Sequence, residues 1–129
     1  MTYLGNPYHP WWLDNLAANV TGQGAFMEGV AEGADAVRSI VTYARTVYDN
    51  QKFSFVGDYG SNGYIEEYTA DIQGHSTSVV VTVARNAGGM AQRIVVNHRP
   101  RSSVLLIARL CSENFAGTPL ADLFGASGS

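Results

Sequence analysis

Tyr64-Ile-Glu-Glu-Tyr-Thr-Ala-Asp-Ile72, then Gln73-Gly74, then Thr77-Ser-Val-Val-Val-Thr-Val-Ala-Arg85 is the stretch that decides the architecture. Both flanking runs are rich in β-branched and aromatic residues, and Gln73-Gly74 between them has the composition of a tight hairpin turn. In the first run Tyr64, Glu66, Tyr68 and Ile72 fall on one face at period two. The second run holds Val79-Val-Val-Thr-Val83, nearly continuous in apolar residues, and is expected to have both faces covered. Outward from this hairpin, Phe53–Gly57 reads as a preceding strand. Asn86-Ala-Gly-Gly89 reads as the next turn, and Gln92–Arg99 as the last strand, stopped by Pro100. These make a meander of about four antiparallel strands.

Helices flank the meander. From Gly33-Ala-Asp35 to about Tyr48, Val37, Ile40, Val41 and Ala44 form a stripe at helical spacing, and Asn50 ends it. Asp35 suits the positive end of that helix. After Pro100, Ser102-Ser103 is expected to cap a helix over Val104–Phe115, with Leu105, Leu106, Leu110 and Phe115 apolar and Leu106 and Leu110 buried, closed by Gly117-Thr-Pro119. Trp11–Ala18 reads as a short helix, Val20–Val30 as an irregular glycine-rich segment. Helices followed by a run of strands joined by short turns indicate an α+β domain with helices on one side of a curled sheet. An N-terminal arm over residues 1–10, one domain over 11–120 and a flexible polar tail over 121–129 complete the division.

The bulk properties exclude several functions. At 129 residues there is room for one domain. A net charge of -3 with no basic stripe argues against nucleic acid and anionic membrane. No apolar run approaches the ~20 residues of a membrane helix, and no signal peptide is evident. The single Cys111 allows neither an intrachain disulfide nor a cysteine metal site, which fits a cytoplasmic location, and it reads as a buried thiol. His9 and His75 lack partners at ligand spacing, so no metal and no cofactor are expected. Gly22, Gly24, Gly29 and Gly33 do not follow the phosphate-loop pattern, and no serine-hydrolase elbow is present. Charged residues are 15% of the chain, against about a quarter in ordinary domains. So sparsely charged a surface points to a homodimer.

The order of these elements resembles the SnoaL-like family of the nuclear transport factor 2-like superfamily. Trp12-Leu-Asp-Asn-Leu-Ala-Ala-Asn-Val20 looks like its helix-into-strand signature, and Glu32-Gly-Ala-Asp-Ala-Val37 like the entry to its amphipathic helix. The glycine-turn hairpin ending in Ile94 and His98-Arg-Pro100 before an apolar helix are similar too. The likeness spans Trp11 to Phe115. It implies a cone-shaped, curved antiparallel or mixed sheet wrapped around helices, the cystatin-like arrangement, with a pocket on the concave side and homodimers through the convex side. The superfamily includes polyketide cyclases, ketosteroid isomerase, limonene epoxide hydrolase, scytalone dehydratase and domains without chemistry, so fold does not give function.

The catalytic patterns of those enzymes do not transfer. Where the isomerase has its base and its second carboxyl, this chain has residues near Gly24 and Thr82, and the isomerase's tyrosine-bearing first helix is expected to be missing or shortened. The cyclase aspartate is replaced by Ser102 or Ser103, and no Asp–Arg–Asp set can be placed.

Glu66 is then the sharpest candidate. Between Tyr64 and Tyr68 it would lie in an apolar pocket, where desolvation raises a carboxyl's pKa into a useful range. The plain alternatives are a solvent-facing Glu66 with Glu67 inward, or pairing with an arginine. His98 is the second candidate for proton transfer, against a structural histidine ending a strand. Either His98 or the pair Asn97 and Arg99 faces the pocket, and period two forbids both. Trp12, Tyr43, Tyr64, Tyr68, Thr82 and Asn97 are the candidate ligand contacts. The leading expectation is a domain binding a small, apolar, ring-sized ligand. The rivals are a cyclase, isomerase or dehydratase using Glu66 or His98, and a non-catalytic dimeric assembly module.

Overall fold

The computed structural model describes residues 1–125. Its centre is the predicted meander: β5 (Tyr48–Tyr59), β6 (Gly63–Ile72), β7 (His75–Arg85) and β8 (Ala91–Arg99), each antiparallel to the next. Gln73 and Gly74 both have positive φ, as a two-residue primed hairpin turn requires. Three short strands and one long one extend the meander into an open, curved, mixed sheet of eight strands. β1 (Thr2–Tyr3) runs parallel to β5 and carries β2 (Asn6–Pro7). On the other edge β3 (Leu16–Gln23) runs parallel to β8 and carries β4 (Ala31–Glu32), giving the order β2-β1-β5-β6-β7-β8-β3-β4.

Period two sorts the sheet into two faces. Val79, Val81 and Val83 are buried at 1%, 2% and 0% exposure, whereas Val80 and Thr82 between them are half-buried. Within one chain only the concave face is fully covered, so the covering expected for the other face of this strand is not supplied by the chain itself. That face packs on α1 (Ala34–Val47) through Val37, Ile40 and Ala44, and on α2 (Arg101–Asn114) through Ile107, Leu110 and Cys111. No helix among the described residues is long and apolar enough to cross a membrane.

Several boundaries differ from the sequence reading, each for a physical reason. Residues 1–10 are not a loose arm; a β1–β2 hairpin turning at Leu4 and Gly5, both at positive φ, docks on β5. The helix expected over Trp11–Ala18 is a single 3-10 turn, Trp11–Asp14, after which Leu16, Val20 and Gly22 turn inward along β3. β5 starts at Tyr48, five residues earlier than expected, because Asn50 at φ 55 marks an irregularity in the strand and does not end the helix. Gly24 belongs to packing: a Cβ there would collide with the carbonyl oxygen of Val96.

At α2, Pro100 precedes the helix without a side-chain cap, and Ser103 is buried with its hydroxyl toward the Ser76 carbonyl at 3.5 Å. Leu110 and Phe115 are buried as expected, but Leu105 is exposed and Leu106 half-buried, and Ile107 and Cys111 take their place on the inner face of α2. The tail read from residue 121 forms a 3-10 turn, Ala121–Phe124, whose Phe124 ring stacks on Phe26 and Phe115; residues 126–129 lie outside the described part.

Candidate functional site

Three rows of side chains cross the concave face of β6, β7 and β8: Tyr64–Val83–Ile94, Glu66–Val81–Val96 and Tyr68–Val79–His98. α1 lies over the middle row, and the 3-10 turn brings Trp12 beside it. Between them is a cavity of about 40 Å3 whose lining includes Trp12, Ala44, Phe53, Glu66, Tyr68 and Val96. That is a few times the roughly 10–15 Å3 a single water needs. A compact molecule of a few non-hydrogen atoms fits. A fused ring system would have to displace side chains.

Glu66 is 1% exposed, in the middle of this lining. Its Oε2 accepts the indole N–H of Trp12 at 3.1 Å and the hydroxyl of Tyr8. The Tyr8 oxygen also bonds the Tyr64 hydroxyl. Tyr8 has one proton, and with Glu66 ionised that proton goes to the carboxylate, so Tyr64 donates to Tyr8 and a relay Tyr64–Tyr8–Glu66 results. Burial raises the Glu66 pKa above its usual 4.5; the hydrogen bonds from Tyr8 and Trp12 and the charge of Arg45 pull it back in part. Tyr8 and Tyr64 are raised as well, first by burial, so both stay protonated and able to donate.

His98 also faces inward, and Asn97 and Arg99 face outward, which settles the choice left open by period two. Yet His98 stands outside the cavity lining, behind Phe26 and Tyr48. Its Nε2 is 2.6 Å from the Tyr48 hydroxyl, its ring lies edge-on to Phe26, and its buried Nδ1 has no hydrogen-bond partner. Burial lowers its pKa to about 4, so it is neutral near neutral pH.

Of the expected ligand contacts, Trp12 and Tyr68 line the cavity, and Tyr64 reaches Glu66 through Tyr8. The others lie elsewhere. Tyr43 sits between the helices, donating to the Leu110 carbonyl at 3.3 Å with its ring against Phe115. Thr82 is on the convex face by strand parity. Asn97 accepts the Ala25 N–H at 2.9 Å on that same outer side. Sequence reasoning missed Tyr8, Tyr48, Phe53 and Arg45. The density of aromatic residues over Tyr3, Tyr8, Trp11 and Trp12 was the available signal that the first ten residues fold onto the core. Among the described residues, no group of three His, Cys, Asp or Glu side chains is placed to hold a metal ion.

No family model and no curated protein matches this sequence. Solved structures do. An uncharacterized protein with a cystatin-like fold from Silicibacter pomeroyi is similar at a TM-score of 0.75 and 17% identity, over 81% of this chain and 74% of that one. A steroid delta-isomerase from Pseudomonas aeruginosa is similar at 0.71 and 16%, over 81% and 80%. A protein with a ketosteroid isomerase-like fold from Catenulispora acidiphila, in complex with trimethylamine, is similar at 0.54 and 14%, over 73% and 76%. The chain has the nuclear transport factor 2-like fold.

Proposed function

We propose that this chain binds a compact, mostly apolar molecule in the cavity under the concave face, with Glu66 as its polar anchor. The observation that carries this is a fully buried carboxyl in the cavity lining whose two protein donors, Tyr8 and Trp12, both fall on Oε2. A carboxyl is costly to bury unless it is used or fully paired. Apolar walls with one convergent polar group are what a small-molecule site requires. The Catenulispora acidiphila protein holds trimethylamine, a molecule of the size this cavity admits. Fragment screening by NMR on labelled protein tests the reading. Binders should shift the indole N–H of Trp12, and Ala44→Leu, which fills the cavity from α1, should abolish the shifts. Shifts that survive Ala44→Leu would place binding elsewhere.

The enzyme reading is favoured by a second observation. A carboxyl whose pKa is raised by burial, at the end of a Tyr64–Tyr8 relay, can both give and take a proton. Under that reading Glu66→Gln keeps the ligand and loses turnover, because the amide cannot shuttle a proton. His98, neutral and outside the lining, serves to position Tyr48. The half-buried Ile65, Val80 and Val95 on the convex face support a homodimer through that face.

A further inference from the structure

Of the side chains lining the cavity, Glu66 is the only acid and Arg45 the only base. The two are not salt-bridged: among the described residues no ion pair involves Glu66, and the Arg45 guanidinium rests on Met1 Sδ at 3.6 Å. Both groups that bond the Glu66 carboxylate, Tyr8 and Trp12, are neutral. An ionised Glu66 is thus a buried anion with no direct ion-pair partner, met only at longer range by the charge of Arg45, and both its protein donors use Oε2, which leaves Oε1 for an occupant. Around it stand aromatic rings. Phe53 and Tyr68 are 4.8 Å apart at 46°, Tyr48 and Tyr68 5.5 Å apart at 71°, and Trp12, in the same lining, has its N–H on Glu66. Aromatic rings lining a cavity beside an anion favour a cation with an apolar coat, since each ring face is negative and most of the remaining lining is apolar.

We propose that the cavity takes a small organic ammonium ion, its alkyl groups against Trp12, Tyr48, Phe53 and Tyr68 and its charge answered by Oε1 of Glu66. This rests on the reading of the cavity as a binding site and adds the chemical class of the occupant. A neutral molecule of the same size would leave the buried charge uncompensated or require Glu66 to take up a proton. A cation removes that cost while keeping the hydrogen bonds from Tyr8 and Trp12. The cavity volume limits the ion to a few non-hydrogen atoms. Arg45 opposes the cation from the lining. Its half-exposed side chain is screened by solvent and attached to Met1, so its repulsion is weaker than the attraction of the buried carboxylate.

The test titrates tetramethylammonium chloride and tert-butanol, which are matched in size, into the full chain near neutral pH, with sodium chloride as the ionic-strength control. The Trp12 indole N–H resonance is the reporter. The expected result is saturable binding of tetramethylammonium with a Kd at least about tenfold lower than that of tert-butanol. Glu66→Gln should erase the preference while leaving the indole resonance in place, because the amide oxygen still accepts from Trp12. Phe53→Leu, which keeps bulk and removes a ring face, should weaken the ammonium more than the alcohol. Equal or tighter binding of tert-butanol overturns the cation class and leaves the cavity reading standing. Failure of both compounds to perturb the resonance also overturns the cation class; whether the cavity binds anything is then decided separately by the fragment screen with Ala44→Leu.

Discussion

The indole N–H of Trp12 reaches the carboxylate of Glu66 at 3.1 Å, joining two residues 54 positions apart in the chain. This bond ties the 3-10 turn at the start of the domain to the middle of the sheet, and it ties the folding of that turn to the charge of one acid. Trp12→Phe keeps most of the ring and removes the donor. A hydrogen bond to a charged group contributes about 1.5–3 kcal/mol. The variant should lose about that much at a pH where Glu66 is ionised, measured by chemical denaturation, and less where it is protonated.

The pH dependence of Glu66 itself has a defined sign. Its folded pKa is raised above 4.5 because burial disfavours the anion. The folded state therefore holds its proton where the unfolded chain has already lost it. Stability from this group is fully present below 4.5 and is lost as pH rises through the folded pKa. Glu66→Gln lacks this loss. Its melting temperature should rise relative to the wild type across that interval, and a constant difference at every pH would show that Glu66 is not desolvated.

His98 runs the opposite way. Its folded pKa is lowered from 6.5 to about 4, so the unfolded chain takes up a proton that the folded chain refuses. Stability from a neutral His98 is present above 6.5 and lost as pH falls toward 4, by roughly 3 kcal/mol at about 1.4 kcal/mol per pH unit. Because Glu66 partly cancels this, the comparison belongs in the Glu66→Gln background. There His98→Gln should flatten the stability curve over that interval, and an unchanged slope would mean that His98 titrates freely in the folded chain.

The meander was legible in the sequence because strand parity is local. Val79, Val81 and Val83, or Tyr64, Glu66 and Tyr68, announce their shared face without knowledge of the rest. The helix of Val37, Ile40 and Ala44 was legible for the same reason. The first sixteen residues were not, since two-residue strands carry no periodicity and Tyr8 gains its meaning only by docking against Tyr64 and Glu66. The placement of Tyr43 and Thr82 also escaped. A helix stripe does not say which neighbour covers each flank, and a strand with apolar residues at every position does not say which face is inside.

The corrected phase of α2 can be checked by truncation. Ile107 is completely buried, Leu106 half-buried and Leu105 56% exposed. Ile107→Ala should cost ~2–5 kcal/mol, Leu106→Ala clearly less, and Leu105→Ala within about 0.5 kcal/mol of zero. Equal losses at positions 106 and 107 in thermal melts would return the helix to the phase the sequence implied.

The two faces of β7 make separable predictions for folding and assembly. Val81 points into the concave core beside Glu66, at 2% exposure, where a second carboxylate would have no partner. Val81→Asp should cost several kcal/mol and leave little folded protein. Val80 points the other way and is half-buried, in a row with Glu67 and Asn97 on the convex face. Val80→Asp leaves the concave core untouched, so the chain should fold with a near-normal melting temperature. If the convex face is the homodimer interface, the added charges meet across it, each also near Glu67, and like charges brought together in a desolvated contact are strongly repulsive. Light scattering should then show a dimer for the wild type and a monomer for Val80→Asp. A folded Val80→Asp variant with the wild-type mass would remove the convex face as the interface.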